Sequence, residues 1–429
     1  MRVAVLSLIE PAGAGDDGLR AFLRIGGRSV LRHQIGLALS LGCRRIAIMA
    51  EAISGELVAL QHVAEAGGAQ FHVVATARAL VPLILPEDDV IVLGDGLLAM
   101  PDAMRDLIEA GPALLTLPIE SGLPLGFERI DINHAFAGAM RVGGRIAAGL
   151  ADLPPEWSVQ SALLRLAMQA RVAQRGVPAG YLDDGRWSIV RNEDEAHRIE
   201  GLWLSLHTGI ASRTSAGSGF RTPGDALASV IVRRFGPAML HAGTRPALIG
   251  LAAGAVGLLG GGAGWLGHYA TGMVLIGLAW LVERVASLLA QVERASLLAS
   301  GFERRSVAVF HLLIDAGLVT LATWRSDLNL VPGLPPGAAA FVPILLIGST
   351  RLAPAILSGR GWAYWLEDRL MLGGALALVS LFAPFDLVIG MLVLGLLGAC
   401  LILVQKERPA DAEMPSSGAS PNPQLTSRP

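Results

Sequence analysis

The chain has 429 residues, a formal net charge of −2 and a mean hydropathy of +0.54. A charge this close to zero excludes the surplus of basic residues on which general nucleic-acid binding depends. Charged residues make up only 16% of the chain, too few for one soluble globule, which predicts a protein that lies partly in a membrane. The two cysteines, Cys43 and Cys400, lie in halves of very different character, which excludes a disulfide framework.

The first part of the chain alternates short apolar runs with helix-like segments. Runs with the length of buried strands lie at residues 3–9, 46–49, 71–75 and 90–94. Helix-like segments lie between them, at residues 29–41 and 101–110. Strands that alternate with helices predict a parallel sheet with helices on both faces. We therefore expect an α/β, Rossmann-like cytoplasmic domain over residues 1–205.

The composition changes after residue 205. Residues 206–237 are predicted to form a Ser-, Thr- and Gly-rich linker and an amphipathic juxtamembrane segment. An all-α membrane domain of six transmembrane helices is predicted over residues 238–405, because most of its apolar segments reach the ~20 residues that cross a ~30 Å hydrocarbon core. These segments are 241–262, 266–290, 306–324, 335–356, 368–383 and 385–404. Residues 406–429, rich in Pro, Ser and Ala, are predicted to be a disordered cytoplasmic tail.

The arginines predict the orientation of these segments. Arg233 and Arg234 precede the first segment, Arg304 and Arg305 lie between the second and third, and the opposite loops are nearly free of charge. By the positive-inside rule the N-terminal domain and the C-terminus are both cytoplasmic. An even number of spans agrees with this orientation. The prediction is a multi-pass protein of a bacterial inner (cytoplasmic) membrane.

One motif follows the first predicted strand. A loop containing Gly13 and Gly15 leads to Arg20, and loop amides after a strand can cradle phosphates that a following base neutralises. Leu93-Gly94-Asp95 ends a central predicted strand, where a carboxylate suits Mg²⁺, an ion that binds through one or two carboxylates plus substrate phosphates. Gly13, Gly15, Arg20 and Asp95 are therefore candidate nucleotide-binding residues, and Asp95 is also a candidate catalytic and metal-binding residue. The alternative is that Asp95 is a turn residue and the glycines only close a turn.

These residues resemble the nucleotidyltransferases of sugar phosphates and polyol phosphates, over most of residues 1–205. The resemblance implies their fold, with Asp95 at the position where the family holds an Asp on Mg²⁺. The chain departs from the family pattern at several places. Glu10 precedes Gly13, Asp16 and Asp17 stand where an arginine is expected, and Arg20 takes the place of a lysine.

The stretch that corresponds to the family's second metal-binding Asp also differs. It reads Ser188-Ile189-Val190-Arg191-Asn192-Glu193-Asp194, so the expected metal carboxylates are Ser and Val. Asp183 and Asp184 lie close by in the sequence and are candidate substitutes.

A second motif begins at Glu283, a charged residue at the edge of a predicted span, which is by default a functional hypothesis. The chain reads Glu283-x2-Ala286-Ser287-x2-Ala290-Gln291, then nine residues, then Gly301-x3-Arg305-x3-Val309. It resembles the Asp-x2-Asp-Gly-x2-Ala-Arg and Gly-x3-Asp-x3-Asp pattern of CDP-alcohol phosphotransferases. The two domains together resemble bifunctional inositol-phosphate cytidylyltransferase and CDP-alcohol phosphatidyltransferase fusions, over about 400 residues. The alternative is a chance match of spacing.

In that family four carboxylates hold two metal ions, and the last one acts as base. The corresponding residues here are Glu283, Ala286, Arg305 and Val309, so one carboxylate of four remains. We expect a structural ion pair between Glu283 and Arg305, with Arg284 and Arg304 able to meet lipid phosphate. Asp315, a lone acid within the third segment, is expected to face the bundle and pair with an arginine or a backbone group.

The leading hypothesis is a catalytically degenerate partner or regulator of phospholipid-headgroup synthesis. It needs no certain cofactor, and Mg²⁺ enters only if the protein is active. A second hypothesis is an active nucleotidyltransferase or CDP-alcohol phosphotransferase with carboxylates from elsewhere, such as Asp95 with Asp184. A third is a lipid-binding or transport protein. The predicted partners are membrane lipids and, by resemblance, a CDP-alcohol or nucleotide, with no nucleic acid; a homodimer is compatible with each hypothesis.

Overall fold

The computed structural model describes residues 1–13, 18–154, 157–207, 222–241, 246–295, 303–335, 337–356, 361–382 and 384–407. The predicted linker up to residue 221 and the predicted tail from residue 408 lie outside these ranges. The chain divides into two compact units. The first comprises Met1–Gly219, Asp225–Ala255 and Ala279–His311, and the second comprises Phe220–Gly224, Val256–Leu278 and Leu312–Pro429. The domain boundaries expected from the sequence stay a prediction.

The described elements alternate in the first half and are helical in the second. The strands are β1 Arg2–Leu8, β2 Arg24–Ile25, β3 Arg28–Ser29, β4 Arg45–Ala50, β5 Gln70–Val74, β6 Asp89–Leu93, β7 Leu97–Ala99, β8 Ala113–Pro118, β9 His134–Gly143, β10 Gln174–Gly176 and β11 Trp187–Ile189. The helices of the first half are α1 Val30–Ser40, α2 Gly55–Ala66, α3 Ala77–Leu80, α4 Pro101–Ile108, α5 Ile119–Gly122, α6 Gly144–Ala148, α7 Val159–Gln169, α8 Gly180–Asp183 and α9 Glu193–His207. The later helices are α10 Pro223–His241, α11 Pro246–Trp265, α12 Tyr269–Ala295, α13 Glu303–Arg325, α14 Phe341–Ile356, α15 Arg369–Phe382 and α16 Phe385–Glu407.

A seven-stranded sheet forms the centre of the α/β region, in the order β10-β8-β9-β6-β1-β4-β5. All neighbours are parallel except β9, which runs antiparallel to both β6 and β8. The four strands predicted from apolar runs are β1, β4, β5 and β6, and they are confirmed. Because β1 and β6 are parallel neighbours, their carboxyl ends open at the same edge of the sheet.

Helices cover both faces of this sheet. Ala4 and Leu6 of β1 belong to a core that includes residues of α1, α2 and α4, whereas Val3 and Val5 belong to a second core with residues of α3, α6 and α7. Successive side chains of a strand point to opposite faces, so a strand apolar at every position needs cover on both sides. The predicted α/β architecture is confirmed, with one antiparallel strand added.

The Gly26-Gly27 pair forms the turn of the hairpin β2–β3, with φ of +60° and +72°. Two positive φ angles are the requirement of the tight turn that matches hairpin twist. A Cβ at Gly27 would lie 2.5 Å from the carbonyl oxygen of Leu240, and the Gly26 N–H donates to Glu200 Oε1 at 2.8 Å. These glycines therefore serve the turn and the close approach of α9 and α10, and the Gly26 amide is already bonded within the protein.

Four of the described helices are long and apolar enough to cross a membrane, over Ala247–Trp265, Tyr269–Val292, Ser306–Arg325 and Phe385–Leu403. The sequence predicts six, and that number is wrong for the part of the chain the structure describes. Helices α14 and α15 have 16 and 14 residues. At 1.5 Å per residue these are about 24 and 21 Å long, short of a ~30 Å hydrocarbon core.

Local sequence explains both short helices. Ala338–Ala340, which follow Pro- and Gly-rich residues, form a 3₁₀ turn before α14 instead of a further helical turn, so the predicted run 335–356 contains less helix than its length allows. The run 368–383 is nearly all helix, and it is bounded by the 3₁₀ segment Gly361–Glu367 and by Pro384. Proline disfavours helical backbone in the residue before it, which is why this short run does not continue as helix into the next one.

Asp315 forms the polar centre of the second unit. Its Oδ1 accepts from Arg369 Nε at 2.6 Å and its Oδ2 accepts from Arg351 Nε at 2.7 Å. Asp315 is 6% exposed and Arg369 is 1% exposed. The prediction that Asp315 pairs with arginine is confirmed, with two arginines in place of one.

Candidate functional site

A cavity of about 190 Å³ opens at the carboxyl edge of the sheet, within the first unit. The ends of β1 and β6 and the start of α7 place most of its lining. Asp95 follows β6, Glu10 and Arg20 follow β1, and Glu128 lies on the loop before β9. The remaining lining comprises Ser7, Ile9, Gly94, Gly126, Phe127, Phe136, Gly138, Ser158, Gln160, Ser161 and Ile189.

Asp95 is the buried acid of this cavity, 4% exposed. Its Oδ2 accepts from the backbone N–H groups of Ile9 and Glu10, both at 2.9 Å. Its Oδ1 is buried and has no hydrogen-bond partner. An ionised carboxylate offers acceptor sites on both oxygens, so half of this group is satisfied by the protein and half is not.

The electrostatics of Asp95 follow from this burial. Burial raises the pKa of Asp95 to about 6, the two backbone hydrogen bonds lower it, and the charge of Glu10 raises it further. The pKa of Glu128 is also raised, by burial and then by the charge of Glu10. The charge of Glu10 therefore raises the pKa values of both other acids, so the three carboxylates interact electrostatically.

Arg20 is the cation of the cavity lining. Its Nε donates to the carbonyl oxygen of Pro11 at 3.1 Å, and its guanidinium lies 3.7 Å from the Glu10 carboxylate. Arg20 thus faces an acid that stands where the nucleotidyltransferase pattern has none. Three carboxylates and one guanidinium leave the lining with an excess of negative charge.

Hydrogen bonds and close packing fix the loop that carries Asp95. The buried Gln34 of α1 donates through Nε2 to the carbonyl oxygens of Gly94 and Leu97, at 2.7 and 2.9 Å. Gly96 has a φ of +78°, and a Cβ there would lie 2.3 Å from the carbonyl oxygen of Val190. Both features fix the carboxylate at the cavity floor, since any shift of this loop would break contacts that involve main-chain atoms.

The other predicted residues of this region lie in several places. Gly13 has a φ of +89° and is near Asn192, while Gly15, Asp16 and Asp17 lie outside the described residues. Asp184 forms an ion pair with Arg186 at 2.8 Å and is not among the residues that line the cavity, and its pairing with Asp95 stays a prediction. Asn192 caps α9 by accepting from the Glu195 N–H at 2.9 Å, a structural role.

Glu283 lies on α12 and is 6% exposed. Its Oε2 lies 3.0 Å from Nε2 of His311 on α13, a hydrogen bond between two helices. The expected partner, Arg305, has its side chain outside the described part of the chain, as has Arg304, so the predicted pair with Arg305 stays a prediction. Ala286 is buried and Val309 is 56% exposed, in places where the phosphotransferase pattern has carboxylates.

Arg284 has a partner of its own. Its guanidinium donates to Asp225 Oδ1 of α10 at 2.7–2.8 Å and lies over the ring of Trp280, 5.7 Å from the ring centre. The expectation that Arg284 is available to lipid phosphate is therefore corrected. The bond to Asp225 instead holds the juxtamembrane helix α10 against α12.

Sequence reasoning misses His311, Glu128 and Gln160. His311 is the one histidine of the third apolar segment, and its place opposite the one acid of the second could have suggested the pair. Glu128 and Gln160 carry no signal, because one lies on the loop before β9 and the other on α7, far apart in the sequence. Among the described residues no group of three or more His, Cys, Asp or Glu side chains could hold a metal ion. The residues at Glu283 do not fit the two-metal centre of the phosphotransferase pattern.

No family model and no curated protein matches the chain. Solved structures do match its N-terminal half. An inositol-1-phosphate CTP transferase from T. maritima has 14% sequence identity, covers 47% of this chain and 94% of its own, and gives a TM-score of 0.35. A UDP-glucose pyrophosphorylase from Acinetobacter baumanii has 10% identity, covers 50% of this chain and 98% of its own, and gives a TM-score of 0.37. Both of these proteins are nucleotidyltransferases, and the similarity covers the N-terminal half of this chain.

Proposed function

We propose that the chain is a membrane protein related to phospholipid-headgroup synthesis enzymes and works as a catalytically degenerate partner or regulator. The supporting observation is which hydrogen-bond partners the acidic side chains have. Glu283 is bonded to His311, and the one bonded oxygen of Asp95 accepts from main-chain amides. Carboxylates that assemble two metal ions have to converge on one point, and these do not.

The sequence adds to this support. Three of the four carboxylate positions of the phosphotransferase pattern are Ala286, Arg305 and Val309. Two-metal displacement loses its first requirement when those charges are missing, because the metals no longer bind. In the α/β domain the excess of carboxylates opposes a nucleoside triphosphate, which itself carries several negative charges.

The full chain in detergent tests this function. With Mg²⁺, CTP and a polyol phosphate we expect no CDP-alcohol above a no-protein background, and with CDP-alcohol and a lipid acceptor no phospholipid. Turnover at an ordinary enzyme rate, about 1–10³ s⁻¹, that Asp95→Asn or Glu283→Ala abolishes would overturn the proposal. Turnover that survives both changes points to a contaminating enzyme, so a strain without the native synthase is the source of protein.

The proposed membrane placement has its own test. The α/β domain and the C-terminus are cytoplasmic, because the arginine-rich connections lie on their side. A reporter inserted near Ser218 and one fused after Arg408 should both report cytoplasm, and one inserted in the turn between α11 and α12, at His268, should report periplasm. A periplasmic signal from the Ser218 insertion would reverse the orientation.

A further inference from the structure

We infer that the exposed side of α10 binds anionic phospholipid at the cytoplasmic surface of the bilayer, with Arg233 and Arg234 on the lipid phosphate. The inference rests on the membrane placement proposed above and gives the juxtamembrane helix a partner of stated chemistry. Three observations carry it: the level at which α10 lies, the composition of its exposed side, and two arginines without a partner among the described residues.

The covalent connection places the end of α10 close to a membrane-length helix. α10 ends at His241, α11 begins at Pro246, and the candidate span of α11 starts at Ala247. The chain between the two helices reaches about 18 Å at full extension, at ~3.6 Å per residue. The C-terminal end of α10 therefore lies within that distance of the start of the span.

Contacts with α12 give the direction of α10. Asp225 is bonded to Arg284 at 2.7–2.8 Å, and a Cβ at Gly236 would lie 3.6 Å from Leu289. These contacts are 11 residues apart on α10 but five apart on α12, or about 17 and 8 Å of helix. Both contacted residues of α12 lie in the second half of the span Tyr269–Val292, the cytoplasmic half in the proposed orientation. α10 thus crosses this half of the span, and it runs more along the bilayer surface than through the bilayer.

One side of α10 is packed and the rest is open. The packed side consists of small or β-branched residues, among them Ala228, Ser229 and Val232. The open surface exposes three large apolar side chains, Leu227, Val230 and Phe235. Apolar groups beside cations are the composition of helices that lie in the membrane interface, where the bilayer removes the apolar groups from water.

Arg233 and Arg234 supply the charge of the open surface. Both are exposed, and neither makes a hydrogen bond or an ion pair with a residue that the structure describes. The one acid in the sequence of α10, Asp225, is already bonded to Arg284. A guanidinium binds phosphate through paired N–H donors, and each base near an anionic leaflet strengthens binding about five-fold. An anionic headgroup complements this surface, whereas a zwitterionic headgroup brings no net charge to it.

Dioctanoyl phosphatidylglycerol and dioctanoyl phosphatidylcholine form the matched probe pair, since they share acyl chains and differ in net charge. Thermal unfolding of the full chain in a nonionic detergent at low salt measures binding of each. We expect phosphatidylglycerol to raise the unfolding temperature at a concentration at least about ten-fold lower, and added salt to reduce this preference. Inorganic phosphate, which has no apolar part, should leave the unfolding temperature unmoved. Equal effects of the two lipids, or an effect of inorganic phosphate as large as that of phosphatidylglycerol, overturn the inference.

Variants locate the binding. Arg233→Gln combined with Arg234→Gln should weaken phosphatidylglycerol about 25-fold, at about five-fold for each arginine, and remove the preference. Arg78→Gln combined with Arg145→Gln is the matched control, because these arginines are exposed on α3 and α6 and their loss changes the net charge equally. The preference should survive the control. Equal losses in both double variants would attribute it to net charge and overturn the surface.

The apolar part of the surface has a test of its own. Phe235→Ser should weaken both lipids about ten-fold and keep the preference, because it removes apolar contact and no charge. The unfolding temperature without lipid should stay that of the wild type in the Arg233→Gln, Arg234→Gln variant, since neither side chain is bonded within the described protein. Full affinity for both lipids in Phe235→Ser together with an intact preference in the double arginine variant overturns the surface.

Two further measurements separate this inference from other occupants and from the proposed placement. Light scattering of the same samples detects a second copy of the chain. A lower oligomeric mass in the double arginine variant, with the lipid preference intact, would assign the face to that copy and overturn the lipid surface. A cytoplasmic reporter signal near Ser218 without a preference for phosphatidylglycerol overturns only the lipid surface, whereas a periplasmic signal overturns the placement on which it rests.

Discussion

Two buried aspartates, one in each unit, occupy opposite electrostatic environments. Asp315 lies among apolar helices and meets two arginines, Arg351 and Arg369, so both of its carboxylate oxygens accept hydrogen bonds from guanidinium groups. Asp95 lies in the α/β region, has main-chain donors on one oxygen only and shares its cavity with two further acids. A fully paired buried charge indicates a structural role, whereas a half-satisfied one indicates a place for a ligand.

The largest expected effect is the loss of stability when the Asp315 carboxylate is removed. Asp315→Ala leaves two guanidinium groups without their carboxylate in a largely apolar unit, and breaking a buried pair from one side costs about 3–5 kcal/mol. Thermal unfolding in detergent measures the loss. Asp327→Ala is the matched control, because its pair with Arg325 is largely exposed and such pairs are worth about 0–1 kcal/mol. Equal losses would remove the distinction between a structural pair and a surface pair.

The second effect is a pH dependence of the folding stability that comes from Asp95. The folded pKa of about 6 exceeds the ~3.9 of an unfolded Asp, so the folded state binds this proton more tightly. The contribution of Asp95 to stability is therefore fully present below pH ~4 and is lost as pH rises through about 6, by up to ~3 kcal/mol. Asp95→Asn removes the titration and should gain on the wild type by this amount between pH 4 and pH 7.

Glu87→Gln is the control for the pH experiment, because it removes an exposed carboxylate that does not line the cavity. A wild type and an Asp95→Asn variant with parallel pH profiles would contradict the raised pKa.

A smaller effect tests whether Glu283 belongs with the paired or the unpaired acids. Glu283→Ala removes the hydrogen bond between the buried Glu283 carboxylate and the half-buried His311 imidazole, and a hydrogen bond to a charged group contributes about 1.5–3 kcal/mol. His311→Ala combined with Glu283→Ala should recover part of that loss, giving a coupling energy above ~0.5 kcal/mol. The same cycle with Arg305→Ala compares the partner expected from the sequence with the one in the structure. A larger coupling to Arg305 would favour the ion pair.

The smallest effect concerns the rim of the cavity. The Glu10 side chain is 53% exposed and lies 3.7 Å from Arg20, so Glu10→Gln should change the free energy of unfolding by less than about 1 kcal/mol. Its clearer consequence is electrostatic: the pKa values of Asp95 and Glu128 should both fall, since the charge of Glu10 raises each of them. NMR titration of the carboxyl carbons measures this, and unchanged values would separate the three acids.

The local pattern of apolar residues was sufficient to predict much of the fold. Short apolar runs such as residues 90–94 predict buried strands, and four of them form the centre of the sheet, because a parallel strand is covered on both faces and stays apolar throughout. The number of spans was harder to predict. Hydropathy counts apolar residues whether or not they are helical, and the 3₁₀ turn Ala338–Ala340 before α14 takes residues that the pattern assigns to helix. The run that forms α15 is apolar but too short to cross a membrane as helix.

The residues that carry charge into apolar surroundings can be read from the sequence, because Asp95, Glu283 and Asp315 all stand out against the apolar runs around them. Their partners became known from the packed structure. Asp315 meets Arg351 and Arg369 from 36 and 54 residues away, Glu283 meets His311 from the next helix, and Asp95 keeps one oxygen without a partner. The reason is physical: burial depends on local composition, but the pairing of a buried charge depends on directions and distances that exist only after the elements have packed.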